Sequence, residues 1–169
     1  MNRRVVIADA GPLIALARID SLFLLQELFE RVYITSVVRD EILPATAAFP
    51  ETLLLANTLL EGWIEVATIP EDDWKPLNPG IDRGEASAIH IARHWRDAGD
   101  TVLLVMDDRA GRLEASANDI PLIGTAAVIG LAKTEGLIPV ARPLLERLAR
   151  SGYYIGQSVI AAVLANVNE

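Results

Sequence analysis

The chain has 169 residues, 51% of them hydrophobic and none cysteine; this excludes a disordered tail, a disulfide framework, an iron–sulfur cluster and a thiolate zinc site. Its formal charge of −8 excludes a protein that coats nucleic acid non-specifically, since such binding draws on Lys and Arg neutralising phosphates. It leaves open an acidic pocket that meets phosphate through a divalent cation.

Taken in chain order, strand-like and helix-like runs alternate. Residues 4–8 read as a strand, 12–29 as one or two helices, 32–35 as a strand and 36–43 as a short helix. Then come a helix over 50–61, a strand over 63–69, a Pro/Gly/Asp-rich loop over 70–80 and a helix over 82–98. A strand over 101–106, a helix over 108–118, a short strand over 121–123 and helices over 125–136, 143–151 and 156–167 complete the chain. Runs such as VVIA and VLLVM lack the alternation of a half-exposed strand, as expected when helices cover both faces of a parallel sheet. The expected fold is therefore α/β, a three-layer α/β/α sandwich around a central, mainly parallel sheet, with residues 1–169 forming a single domain.

Arg3-Arg4 ahead of an apolar stretch superficially resembles an export signal. Asp9 interrupts that stretch and Arg18 follows it, which favours a first strand and helix. No run reaches the roughly 18 apolar residues of a spanning helix, so a cytoplasmic protein away from membranes is expected. Mean hydropathy is +0.31, high for a soluble monomer, and points to apolar surface covered by a second copy or a partner.

In open α/β sheets ligands bind beyond the carboxyl ends of the strands, and acids cluster there. Asp9 ends the first strand, where a turn or capping role ahead of Pro12 is the structural alternative. Asp107 and Asp108 end the strand TVLLVM; one of them can cap the next helix, which leaves the other unexplained. In SVVRDEIL, Glu41 follows Val37 by four and Val38 by three, which places it on the packing side or at its rim. Asp82-Arg83-Gly84-Glu85 has the form of a capping box, yet Glu85 shares a face with Ala88, Ile89 and Ala92. Clustered carboxylates repel, so such a pocket binds a cation or raises a pKa. Oxygen donors without Cys or an adjacent His favour Mg²⁺ or Mn²⁺, completed by substrate phosphate. Arg83, Arg93, Arg96, Arg109 and Arg112 flank these acids, where guanidinium groups can take phosphate oxygens or simply line solvated helix faces.

Other motifs carry less. His90 and His94 stand four apart without the Glu of HExxH or a third ligand, and read as packed or surface histidines. There is no Walker loop, GxGxxG or GxSxG. The stretch 144–160, with Arg147, Arg150, Tyr153 and Tyr154, reads as a nucleic-acid contact, a dimer contact or a packed terminal helix, with packing or dimerisation favoured; with 5% aromatic residues base stacking is not an obvious means of recognition.

The ordered set IADAGPLIAL, VVRDEI, DRGEASAIHIA, LLVMDDRAGRLEA and IPLIGTAAVIGLAK resembles the PIN domain, a family of metal-dependent ribonucleases that includes the toxins of toxin–antitoxin pairs. GEASAI and DDRAGR look most like a subgroup of largely uncharacterised toxin-like members. The resemblance implies metal ligands, and with them the catalytic centre, at Asp9, Glu41, Glu85 and the Asp107-Asp108 pair. It further implies an RNA substrate and a small antitoxin protein as partner; a homodimer is expected from the hydropathy and the 144–160 stretch. The chain departs from the commoner family pattern at Ala10-Gly11, where a hydroxyl often follows the first acid. It departs again at Glu85, more often Asp, and at Met106, where Thr often stands if Asp108 is the last ligand. Counting back from Ala115 favours Asp108, whereas the end of the strand favours Asp107. A catalytically inactive PIN-like interaction module and a receiver-like phosphoacceptor are the alternatives from other classes.

Overall fold

The computed structural model describes residues 2–46 and 49–169. In chain order the elements are β1 (Arg4–Ala8), α1 (Ala10–Arg18), α2 (Phe23–Phe29), β2 (Val32–Thr35), α3 (Ser36–Ile42), α4 (Pro50–Glu61) and β3 (Ile64–Ala67). There follow α5 (Arg83–Asp97), β4 (Thr101–Val105), α6 (Arg109–Ala117), β5 (Leu122–Ile123), α7 (Thr125–Thr134), α8 (Arg142–Arg150) and α9 (Gln157–Asn166). The strands form one five-stranded sheet in the order β3-β2-β1-β4-β5. Every pairing in it is parallel, so the expected mainly parallel sheet is parallel throughout.

The unbroken apolar strands find their reason in the two cores. Val5 and Ile7 of β1 pack with Ala88, Ile89 and Ile91 of α5 on one face of the sheet. Val6 and Ala8 point the other way, into a larger core with Leu13 and Leu16 of α1 and Val128 and Ile129 of α7. Successive side chains of a strand point to opposite faces, so a sheet covered on both needs apolar residues at every position.

Several boundaries differ from those read in the sequence. The helical run 12–29 is two helices, and the first begins at Ala10, with Pro12 accommodated in its first turn. Asp20, at φ 53°, lies in the turn between them. β3 stops at Ala67 because its partner β2 ends at Thr35, the residue paired with Ala67. α7 ends at Thr134, and Gly136 follows in the left-handed region at φ 77°. Among the described residues no helix is long and apolar enough to cross a membrane.

Two features place the site. After β1 the chain builds β2 and β3 on one side and later β4 and β5 on the other, which makes the gap between the carboxyl ends of β1 and β4 the topological switch point. The β1–β4 register, with Ala8 opposite Val105, sets Asp9 and the Asp107-Asp108 pair just past the two strand ends.

Candidate metal centre at the carboxyl end of the sheet

Asp9 holds the N-cap position of α1 in extended geometry, but its side chain makes no cap hydrogen bond. Its amide donates to Val105 O at 3.0 Å, which ties the residue to β4. The side chain is 6% exposed, and Oδ1 is buried without a hydrogen-bond partner. Burial pushes its pKa up to about 7; the Ala10 backbone opposes that shift, and the negative charges of Glu85, Asp82 and Glu41 add to it. The turn-or-cap alternative therefore does not account for Asp9.

Asp82 and Glu85 form the expected capping box at the start of α5. Glu85 N donates to Asp82 Oδ1 at 2.8 Å, and Asp82 N donates to Glu85 Oε2 at 3.0 Å. Glu85 is buried. Its pKa is raised by burial first, against the Asp82 backbone, with the charges of Asp82, Asp108 and Glu41 adding. One carboxylate thus serves the helix start and the acidic centre together.

Glu41 is not on the buried side of α3. It is exposed, while Val38 and Ile42 are buried and Val37 is only half-buried. The core-facing pair is Val38 and Ile42, four apart, and Glu41 falls one residue short of it, about 100° around the helix. Its carboxylate nevertheless reaches the start of α5. A Cβ on Gly84 would stand 2.5 Å from Glu41 Oε1, so a side chain there would push the carboxylate away from the start of α5. Desolvation and then Asp82 raise the Glu41 pKa, while the Gly84 backbone and Arg83 oppose the shift. A buried link holds the same helices together: Thr35 Oγ1 lies 2.6 Å from Ser87 Oγ, Ser87 Oγ donates to Gly84 O at 2.7 Å, and Val38 N donates to Thr35 Oγ1 at 3.1 Å.

The adjacent aspartates divide their work. Asp108 caps α6, its Oδ1 accepting from Gly111 N at 3.0 Å, and its exposed carboxylate is among the charges felt by Glu85. Asp107 points towards the start of α7. Its Oδ1 accepts from Thr125 N at 2.8 Å, and its Oδ2 accepts from Thr125 Oγ1 at 2.5 Å and from Tyr153 Oη at 2.6 Å. Tyr153 comes from the loop between α8 and α9, and its hydroxyl would lie 3.0 Å from a Cβ on Gly11. Burial raises the Tyr153 pKa, and the charges of Asp107 and Asp9 add to this. The hydroxyl therefore stays protonated and donates.

Four acids, Asp9, Glu41, Glu85 and Asp108, are thus electrostatically coupled, with Asp82 as a fifth. Among the described residues no three His, Asp or Glu side chains converge tightly enough to enclose an ion.

In the sequence Asp82 reads as a cap, Thr125 only as the start of a helix, and Tyr153 as part of the 144–160 stretch with no link to the acidic centre. Thr125 follows the end of β5 and was accessible to the same strand-end argument that found Asp9. Tyr153 carried no such signal, since it meets Asp107 across 46 residues of chain.

The two histidines differ in their surroundings. His90 is buried with Nε2 2.9 Å from Pro70 O and its ring against Trp74, and His94 is exposed. Of the flanking arginines, Arg93 pairs with Asp72 and Arg96 with Asp97. Arg112 Nη1 donates to Met106 O at 2.9 Å. Among the described residues Arg83, Arg109 and Arg112 form no ion pair.

Two comparisons with known proteins bear on this arrangement. A family model described as PIN domain matches residues 5–169. No curated protein matches the chain.

Proposed function

The chain belongs to the PIN domain family, and from that premise we propose that it is a metal-dependent ribonuclease, the toxin of a toxin–antitoxin pair, hydrolysing RNA phosphodiester bonds at this acidic centre. The observation that carries the reading is Asp9, whose buried Oδ1 has no partner and whose acidic neighbours disfavour its charged form. A buried carboxylate in that position takes up a proton or a cation.

The oxygen-only donor set fits Mg²⁺ or Mn²⁺. Asp9 and Asp108 would hold the ion, with Glu41 and Glu85 as further or water-bridged ligands, while Asp107 is engaged by Thr125 and Tyr153. Such an ion, when bound, supplies an acidified water and stabilises charge on the phosphate. The chain's own residues prepare the place. Asp9, with its pKa raised to about 7, takes up a proton more readily than an exposed carboxylate and would give it up to a cation. The capping box fixes Glu85 in one rotamer, and Tyr153 covers the α1 end of the site. The apolar strand ends beneath Asp9, Ala8 and Val105, both fully buried, keep water from its inner side.

On this reading the protein is cytoplasmic and acts on RNA, and a small antitoxin covers the acidic groove. A second copy of the chain covers part of the exposed apolar surface. The test is an RNA cleavage assay with Mg²⁺ or Mn²⁺. Wild type cleaves and Asp9→Asn loses activity by more than about 100-fold, since even outer-shell changes around metals cost 10- to 100-fold. Equal cleavage by both proteins, or none by either, contradicts the reading.

One observation favours a second reading, an interaction module without catalysis: Asp82, Glu85, Asp107 and Asp108 all hold caps or loops, so the fold uses them even without chemistry. The receiver-like alternative loses ground, because receivers order their strands 2-1-3-4-5, whereas this sheet runs β3-β2-β1-β4-β5.

A further inference from the structure

Asp107 and Arg112 line two clefts at once. One, of about 670 Å³, runs along α6 and β5 beside Arg109 and Leu122. The other, of about 330 Å³, lies between α7, α9 and the α8–α9 loop, with Ala127, Val159 and Tyr154 in its wall. We propose that the substrate strand leaves the acidic centre along this β5 edge, with a backbone phosphate against Arg109 and Arg112 and an adjoining base stacked on Tyr154. The proposal rests on the ribonuclease reading and deepens it by naming the path of the RNA.

Three observations carry it. The first is charge. The cleft on the opposite flank, beside α5, is lined by Glu71, Asp72 and Asp73, and Arg93 next to it already pairs with Asp72; a polyanion is repelled there. On the β5 flank Asp107 is held by Thr125 and Tyr153. Arg112 is anchored by one N–H to Met106 O, which leaves its remaining donors for phosphate.

The second is the pair of tyrosines. Tyr153 is fastened to Asp107 at 2.6 Å, which fixes the loop, while its neighbour Tyr154 is 92% exposed. An aromatic ring held out by an anchored loop costs little further ordering when a ligand meets it. Every base offers a π-face, so such a ring binds RNA without needing a particular sequence.

The third is position and size. The smaller cleft is walled by apolar side chains except where Asp107 and Arg112 close it, and it falls at the small end of ligand sites, room for a base rather than a folded segment. Low aromatic content argued against stacking, but the location of one tyrosine matters more than the count.

The test measures binding of a short fluorescein-labelled single-stranded RNA of mixed sequence by anisotropy, with EDTA present and no divalent cation. Tyr154→Ala weakens binding about tenfold and Tyr154→Phe leaves it at the wild-type level. Arg109→Gln lowers the slope of log affinity against log salt by about 0.7, the value of one single-strand phosphate contact. Glu71→Gln, on the other flank, does not weaken binding. No binding by wild type, wild-type binding by Tyr154→Ala, equal loss in Tyr154→Phe, an unchanged salt slope in Arg109→Gln, or a loss in Glu71→Gln each overturns the proposal. Because no cleavage is required, failure of the ribonuclease reading shows separately, as bound RNA that stays intact once Mn²⁺ is added.

Discussion

On the α5 flank of the acidic centre, Glu71, Asp72 and Asp73 line a cleft of about 750 Å³ in which the imidazole and the guanidinium are already engaged by the protein. His90 meets Pro70 O, and Arg93 pairs with Asp72 and lies over the Trp74 ring. Buried Glu114 accepts from Leu77 N at 2.8 Å and Asn78 N at 2.9 Å. On the β5 flank, Arg109 and Arg112 have donors to spare and Tyr154 stands in solvent. The first flank is a wall whose cation is already paired and whose acids Glu71 and Asp73 face solvent; the second offers cationic and aromatic groups to a ligand. A net charge of −8 hides this division, because what decides where an anion can lie is which charges already have partners.

The comparison is broken most forcefully at Glu114. Glu114→Ala leaves two loop amides without their acceptor and should cost about 3 kcal/mol, read as a lower denaturant midpoint, with faster proteolysis between residues 70 and 80. An unchanged midpoint would show that the wall does not depend on its buried carboxylate.

Next in size is the acidic centre. The Asp9 pKa rises from 3.8 in its ordinary state to about 7 in the fold, so between those values the folded chain binds more protons than the unfolded one. Its penalty is absent below about pH 4, grows as pH rises towards 7 and is complete above. Without divalent cations, Asp9→Asn should therefore stabilise the protein by ~2 kcal/mol at about pH 8 and leave it unchanged at about pH 4. Thermal unfolding across pH checks this, and parallel curves for the two proteins would refute it.

The smallest of these effects concerns the ligand-facing flank. Tyr153→Phe removes one hydrogen bond to a charged acceptor, expected to cost about 1.5 kcal/mol, and frees the loop that carries Tyr154. RNA binding should weaken with it, although the substituted ring touches no phosphate. Wild-type stability and binding in this variant would separate the tyrosine anchor from the path of the RNA.

Much of this was legible in the sequence. The βα alternation, the covered parallel sheet and the strand-end acids all follow from apolar periodicity, and the Asp82–Glu85 box was readable from spacing alone. Whether Glu41 lies on the packing side or at its rim is open in the sequence because α3 has seven residues, too few turns for Val37 and Val38 to reveal which of them faces the core. The end of β3 depends on where β2 stops, and the grip of Tyr153 on Asp107 depends on the packing of α7, α8 and α9. Such facts belong to tertiary structure, where local pattern carries no trace of them.

The measurement that bears most directly on the central claim is calorimetric titration of the wild-type protein and Asp9→Asn with Mn²⁺. The account predicts a wild-type binding event accompanied by proton release near about pH 6.5, and affinity at least about tenfold weaker, without that release, in Asp9→Asn. Equal Mn²⁺ affinity in the two proteins would contradict it.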